Sequence, residues 1–247
     1  MNIEQIRKQA EKLAGENATK TTGGMEFYNL WDKNEHWIRM LPPHPQYNPG
    51  GLVVRGYHKL ALSFKNDKGE KTAGCGKFLG RDCYFCDRQE EFRAMVEAGK
   101  GPGYLAQLHD VMRLKLKYFC SVLSRTGSPH EQTGISQPSG IRALSFYQET
   151  ILDALASLER RVPDFRSALV GRDLFFYMPA KNRWEVDEAP EASALLPNAS
   201  VEEIKALLQR QPKLSEMGTF TCPSQKQADG MLIDLLKRFD AAENAGL

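Results

Sequence analysis

The chain has 247 residues, 41% of them apolar and 26% charged, with 33 basic and 31 acidic side chains and a formal charge of +2. Such a composition suits one large or two small globular domains and excludes a fibrous or wholly disordered chain. The charge is uneven: residues 185–247 carry 11 acids and 6 bases (−5) and the remainder 20 acids and 27 bases (+7), so the body suits an anionic partner.

Residues 2–14 place Ile3, Ile6, Ala10 and Leu13 at helical spacing and predict a short amphipathic helix. The stretch 15–24, GENATKTTGG, is polar and turn-forming and reads as a linker, which sets 1–24 apart as an arm. HWIRML over 36–41 is a strand stopped by Pro42, Pro43 and Pro45. LVVRGYHKLALSF over 52–64 is a second strand, followed by a turn at Asn66, Asp67 and Gly69. Asp87 and Glu90 have capping-box spacing and predict a helix through Phe92, Met95 and Val96 to Gly99. VMRLKLKYFCSVL over 111–123 alternates apolar and basic residues, a half-buried strand with Arg113, Lys115 and Lys117 on its exposed side. A polar loop over 126–140 precedes a strand over 141–147. The helix over 148–160 then buries a stripe of Ile151, Leu152, Leu155 and Leu158. Strands over 173–178 and 184–186 flank a turn at Lys181-Asn182. Ser200 with Glu203 caps a helix over 201–208, and Ser224 with Gln227 caps another ending near Phe239.

The expected fold is mainly β with added helices. Five strand regions with a helix between the third and fourth match the recipe of an OB barrel. The division expected is an arm over 1–24, a core over 25–190 and a helical, mildly acidic C-terminal region over 191–247. No apolar run approaches the ~20 residues that span a bilayer, so no membrane partner is expected. The opening MNIEQIRKQAEKLAGEN lacks the apolar centre of a secretory signal, which predicts a non-secreted protein.

Five cysteines, an odd number, point away from a disulfide framework. Cys83 and Cys86 form a C-x-x-C, with Cys75 eight residues upstream and His58 seventeen before that. C-x-x-C supplies two ligands that straddle one metal, and thiolates with an imidazole suit tetrahedral Zn²⁺. His58, Cys75, Cys83 and Cys86 therefore form the candidate site, in a zinc-binding subdomain inserted in the core. His109, Cys120 and Cys222 are alternatives for the fourth position. Glycines 74, 76 and 80 let the backbone bend around the ion. A redox pair would call for a thioredoxin-like βαβ pattern, which is missing. A deaminase would pair H-x-E with P-C-x-x-C, but Lys59 and Leu60 follow His58 and Asp82 precedes Cys83. The other common catalytic motifs are also missing, so a closed structural zinc in a non-enzyme is expected.

The β segments interleave rings with cations, as sequence-tolerant binding of single strands requires. Trp37 stands beside Arg39, and Arg55, Tyr57 and Lys59 follow in the next strand. Arg113, Lys115, Lys117 and Tyr118 share the third; Arg142 and Tyr147 bracket the fourth; Arg172, Phe175 and Tyr177 precede Arg183 and Trp184. Alternation allows about a third of the rings to reach the surface.

These features together resemble the single-stranded DNA-binding, helix-destabilising proteins of T-even phages. Arg7-Lys8-Gln9-Ala10-Glu11-Lys12-Leu13-Ala14 is similar to that family's N-terminal basic motif, and Trp37-Ile38-Arg39-Met40-Leu41-Pro42-Pro43 to its IRFLP strand. His58, Cys75, Cys83 and Cys86 resemble its zinc ligands, and Lys115–Leu123, Ile141–Tyr147 and the following helix its central OB strands. The resemblance covers roughly residues 1–190. It implies single-stranded DNA bound in a basic groove between barrel and zinc subdomain. It also implies cooperative contact between neighbouring protomers through Arg7 and Lys8. Replication and recombination proteins would be recruited by the C-terminal region, in the cytoplasm of a host bacterium. Two other readings remain: a zinc-clamped protein–protein adaptor without nucleic-acid affinity, and a zinc-dependent nucleic-acid enzyme.

Overall fold

The computed structural model describes residues 27–28, 30, 34–62, 70–101, 103–125, 141–147, 149–180, 183–217 and 220–244. The expected helix over 2–14, its linker, Arg7 and Lys8, the last two residues of the strand expected over 52–64, the turn at Asn66, Asp67 and Gly69, the loop over 126–140 and the turn at 181–182 lie outside them.

The order of elements is β1 (Phe27–Tyr28), β2 (Glu35–Met40), β3 (Leu52–Leu60), β4 (Lys71–Gly74), α1 (Tyr84–Glu97), α2 (Leu105–Val111), β5 (Leu114–Arg125), β6 (Ile141–Phe146), α3 (Glu149–Arg161), β7 (Leu174–Ala180), β8 (Arg183–Glu188), α4 (Val201–Leu208) and α5 (Gln225–Asn244). The fold is mixed α/β around a large, mostly antiparallel sheet. Its main path runs β1-β6-β5-β2-β7-β8, with the β3–β4 pairing off this path. β1 on β6 is parallel, whereas β2 on β5 and β7, β5 on β6, and β7 on β8 are antiparallel. Among the described residues β1 and β8 are the two ends of this path, so the sheet is open. A closed five-stranded OB barrel is not what these pairings make. The helical share is also larger than "mainly β" implies, with five α-helices among the described residues.

The chain divides into two compact units, each drawn from separated segments. Among the described residues, the first takes 27–54 and 118–217, the second 55–117 and 220–244. These units are discontinuous, whereas the boundaries expected near 24 and 190 are sequential. Residues 191–217 fall in the first unit and α5 in the second.

In the first unit the even positions of β2 and β7 point inward, burying Ile38, Met40, Leu174 and Phe176. α3 buries Ile151, Leu155 and Leu158, the expected stripe, and leaves Leu152 half-buried. Each fully buried aliphatic contributes about 1.5–3 kcal/mol relative to an exposed one. α4 begins at a full capping box of Ser200 and Glu203 and buries Ile204 and Leu207 against Leu41, Leu123, Leu195 and Leu196. Arg39 Nε donates to Asp173 Oδ1 at 2.8 Å, and Arg125 Nε reaches the same oxygen at 3.2 Å. Their Nη2 groups bind the Ser193 and Leu195 carbonyls, so two buried guanidiniums fasten the segment after β8.

In the second unit the antiparallel β3–β4 hairpin packs with α1, α2 and α5 around Leu60, Ala73, Phe85, Leu108, Met112, Leu235 and Phe239. α5 starts as expected, with Ser224 and Gln227 exchanging bonds, but runs past Phe239 to Asn244 because Phe239 is buried mid-face. No described helix is long and apolar enough to cross a membrane.

Candidate metal centre

Four segments of the second unit meet at one point. His58 lies in β3 and faces Ala73 of β4 across the hairpin, which brings Cys75, two residues on, to the same end. The Cys75 N–H donates to the Gly56 carbonyl at 3.1 Å and fixes that approach. The chain then turns back through a 3₁₀ turn at Lys77–Leu79, ended by Gly80 in the left-handed region at φ 70°. A methyl group on Gly76 would stand 2.1 Å from the Asp82 carbonyl oxygen, so this turn closes only on glycine. Cys83 is the extended residue that precedes α1 (φ −132°, ψ 108°), and Cys86 is buried in its first turn. The Asp87 N–H bonds the Cys83 carbonyl at 3.1 Å. A C-x-x-C across a helix N-terminus places thiolates at the positive end of the helix dipole. The helix was expected to start at Asp87. It starts at Tyr84 because the ligand pair sets the turn.

The ligand atoms of His58, Cys75, Cys83 and Cys86 all lie within 4.8 Å of one another. Cys75 Sγ to Cys86 Sγ is 3.6 Å, His58 Nε2 to Cys83 Sγ 3.3 Å and His58 Nε2 to Cys86 Sγ 3.6 Å. Metal–sulfur bonds of about 2.3 Å and metal–nitrogen bonds of about 2.0 Å make tetrahedral edges of about 3.8 Å between sulfurs and about 3.5 Å from sulfur to nitrogen. These three edges match those lengths. They do not match a disulfide, whose sulfurs stand about 2.05 Å apart, and the cysteines are free thiols. The four residues are 0%, 1%, 4% and 9% exposed, so a tetrahedral ion here is closed off from solvent. They can hold one metal ion.

His58 Nδ1 donates to the Met112 carbonyl at 2.7 Å. A carbonyl can only accept, so Nδ1 carries a proton and Nε2 is the atom that faces the centre, able to bind a metal once its own proton is lost. Burial opposes a charged imidazole, but bonds to Cys75, Cys83 and Met112 outweigh it and carry His58 up to about 9. Hydrogen bonds with Cys75 and Cys86 hold Cys83 far below the usual thiol range, and the same sharing with Cys75 and Cys83 pushes Cys86 up. Without a metal the quartet thus favours a Cys83 thiolate beside a protonated imidazole; a dication at its centre would take the place of that proton and supply the charge that three thiolates need.

Of the alternative ligands, His109 pairs with Asp110 of its own helix α2 and with Gln89 of α1. Cys120 is buried in the first unit, its thiol pushed up to about 12 by burial. Cys222 is partly buried and senses the charges of Cys83 and Cys75, but stands outside the quartet.

The nucleic-acid candidates separate by burial. Arg39 is 0% exposed and neutralised by Asp173, so it holds the core and offers no surface cation. Tyr57, Tyr118 and Trp184 are also buried: Tyr57 stacks on Phe220 at 4.4 Å and Tyr118 on Phe146 at 5.3 Å. Arg172 turns to the Ala189 and Pro190 carbonyls. Arg55 is half-buried, and burial lowers its pKa. Lys59 pairs with Glu70 at 3.1 Å. Arg183 and Tyr177 both bind Glu185. Arg142 is half-buried and Tyr147 is exposed. Arg113 and Lys115 are exposed and make no ion pair among the described residues, and Lys117 is half-buried; Arg113 lies in the bend before β5 rather than in the strand expected over 111–123, whose first residue ends α2. Met112, whose carbonyl holds His58, directly precedes this row. Nothing in the sequence marked it, because the contact runs through its backbone.

No protein-family model and no curated protein matches the chain.

Proposed function

We propose that the protein binds single-stranded DNA independently of sequence, without performing chemistry, and that its metal centre holds one structural Zn²⁺. The observation that carries this reading is the bond from His58 to the Met112 carbonyl. It ties a closed Cys₃His centre to the residue before Arg113, Lys115 and Lys117. Three thiolates and an imidazole complete a tetrahedral shell and leave no position for water or substrate, which is the form of a structural zinc. The metal then fixes the start of a cationic strand, and cations spaced two residues apart on one side can follow a phosphate backbone. Exposed rings that stack on unpaired bases are worth about 1–3 kcal/mol each, and Tyr147, exposed in the first unit, is one candidate. A duplex hides those bases, so selectivity for single strands follows. The T-even phage proteins remain the functional model, with replication and recombination as the setting.

Fluorescence anisotropy of a labelled thymidine 30-mer across a salt series tests this reading. Lys115→Ala with Lys117→Ala should weaken binding and reduce the slope of log K against log salt by about 1.4, at 0.7 per phosphate contact on single strands. An unchanged affinity and slope would remove β5 from the binding surface.

A further inference from the structure

One face of the first unit carries rings where a solvent-facing sheet ordinarily carries polar side chains. The register sets Trp37 of β2 opposite Phe175 of β7, and Glu35 opposite Tyr177. On the other side Phe175 faces Asp187 of β8, and Tyr177 faces Glu185. Trp37 and Phe175 stack at 4.6 Å and 25°, and Phe175 and Tyr177 at 5.2 Å and 16°, so three half-buried rings form one ladder. The opposite face of the same strands is the core, holding Ile38, Phe176 and Trp184.

The rim of the ladder is acidic. Glu35 and Asp187 are exposed, and Glu185 accepts from the Tyr177 hydroxyl at 2.9 Å and pairs with Arg183 at 3.1 Å. With Arg183 counted, these four side chains sum to −2. The Tyr177 hydroxyl feels this rim: its bond to Glu185 first, then burial and the charge of Asp187, push it up to about 12. Rings alone would suit bases, but three carboxylates repel a phosphate backbone. Rings and carboxylates both attract one class of group, a guanidinium or ammonium. It can lie over a ring face by cation–π attraction while its N–H groups meet a carboxylate.

We infer that the Trp37–Phe175–Tyr177 ladder, with Glu35, Glu185 and Asp187, is a docking surface for an arginine-bearing peptide segment of a partner protein. The charge complementarity selects the occupant. Arginine is favoured over lysine because its planar group stacks on rings and takes a carboxylate with two N–H groups at once. This surface is separate from the Arg113–Lys117 row in residues and in sign, and it stands whether or not the protein binds DNA.

The test titrates the full-length protein into a fluorescein-labelled (Gly-Arg)₄ peptide, with (Gly-Glu)₄ and a thymidine 15-mer as parallel probes. The wild type should bind (Gly-Arg)₄ and not (Gly-Glu)₄. The triple variant Glu35→Gln, Glu185→Gln, Asp187→Asn alters exposed or half-exposed groups isosterically. It should bind (Gly-Arg)₄ at least tenfold more weakly while its affinity for the thymidine 15-mer is unchanged or higher. Trp37→Leu should also lose at least tenfold for the peptide and leave the 15-mer unaffected. No peptide binding by the wild type, or equal binding by the triple variant, overturns the inference. So does a Trp37→Leu variant that loses the 15-mer and keeps the peptide, because the rings would then serve a nucleic acid.

Discussion

Removing the metal should melt the unit that holds it. Its three cysteine ligands sit in the same apolar cluster as Leu60, Phe85, Leu108 and Met112, and His58 joins them from β3, so an ion bound there would hold β3, the Cys75 turn and the start of α1 together. An ion present at a thousand times its dissociation constant stabilises the folded state by about 4 kcal/mol. A unit of 60–100 residues loses about 4–8 °C of midpoint per kcal/mol, so metal loss should lower the midpoint by about 15–30 °C. Calorimetry with and without a zinc chelator reads this shift, and elemental analysis counts the ion. Cys83→Ser should melt at the chelated midpoint, show no further response to chelator and carry no metal. A chelator shift below about 4 °C, equivalent to 1 kcal/mol or less, would refute a structural role. A Cys83→Ser protein that keeps one equivalent of metal would refute the ligand set.

Three substitutions test the surrounding framework. Gly76→Ala forces a methyl group against the Asp82 carbonyl and should cost at least about 1–3 kcal/mol together with metal affinity, read by urea unfolding and metal competition; a fully stable, metal-replete variant would contradict the turn geometry. Asp173→Ala strands the buried Arg39 and Arg125 and should cost about 3–5 kcal/mol in urea unfolding. Replacing all three by apolar residues should cost far less; if it costs as much, uncompensated charge is not the cause. Cys120→Ala should leave one equivalent of metal bound, since this thiol lies in the other unit; loss of the ion would reopen the choice of ligands.

The metal quartet was legible in the sequence because ligand chemistry leaves a local mark: a C-x-x-C, a nearby cysteine and few other histidines. Helices over 149–161, 201–208 and from 225 onward were legible through apolar stripes and Ser–x–x–Glu or Ser–x–x–Gln caps. β4 was missed because KTAG has little strand character of its own and becomes a strand by pairing with β3. α2 was missed because seven residues between glycine-rich turns and an alternating strand give too short a pattern. Arg39 was misread because alternation along β2 shows which side it faces but not what lies over that side. Ser193 and Leu195, over 150 residues later, belong to the segment that covers it. Trp184 was misread likewise, being buried in the core rather than exposed on β8. The ring ladder depends on a cross-strand register that no single segment encodes.

The most direct test of single-strand binding is a titration of end-labelled poly(dT) at two salt concentrations, followed by fluorescence anisotropy, beside a labelled duplex of matched length. A saturable change is expected with the single strand, weaker at high salt because phosphate contacts release counterions, with little response to the duplex. No response to poly(dT) at low salt, or equal binding of the duplex, would contradict it.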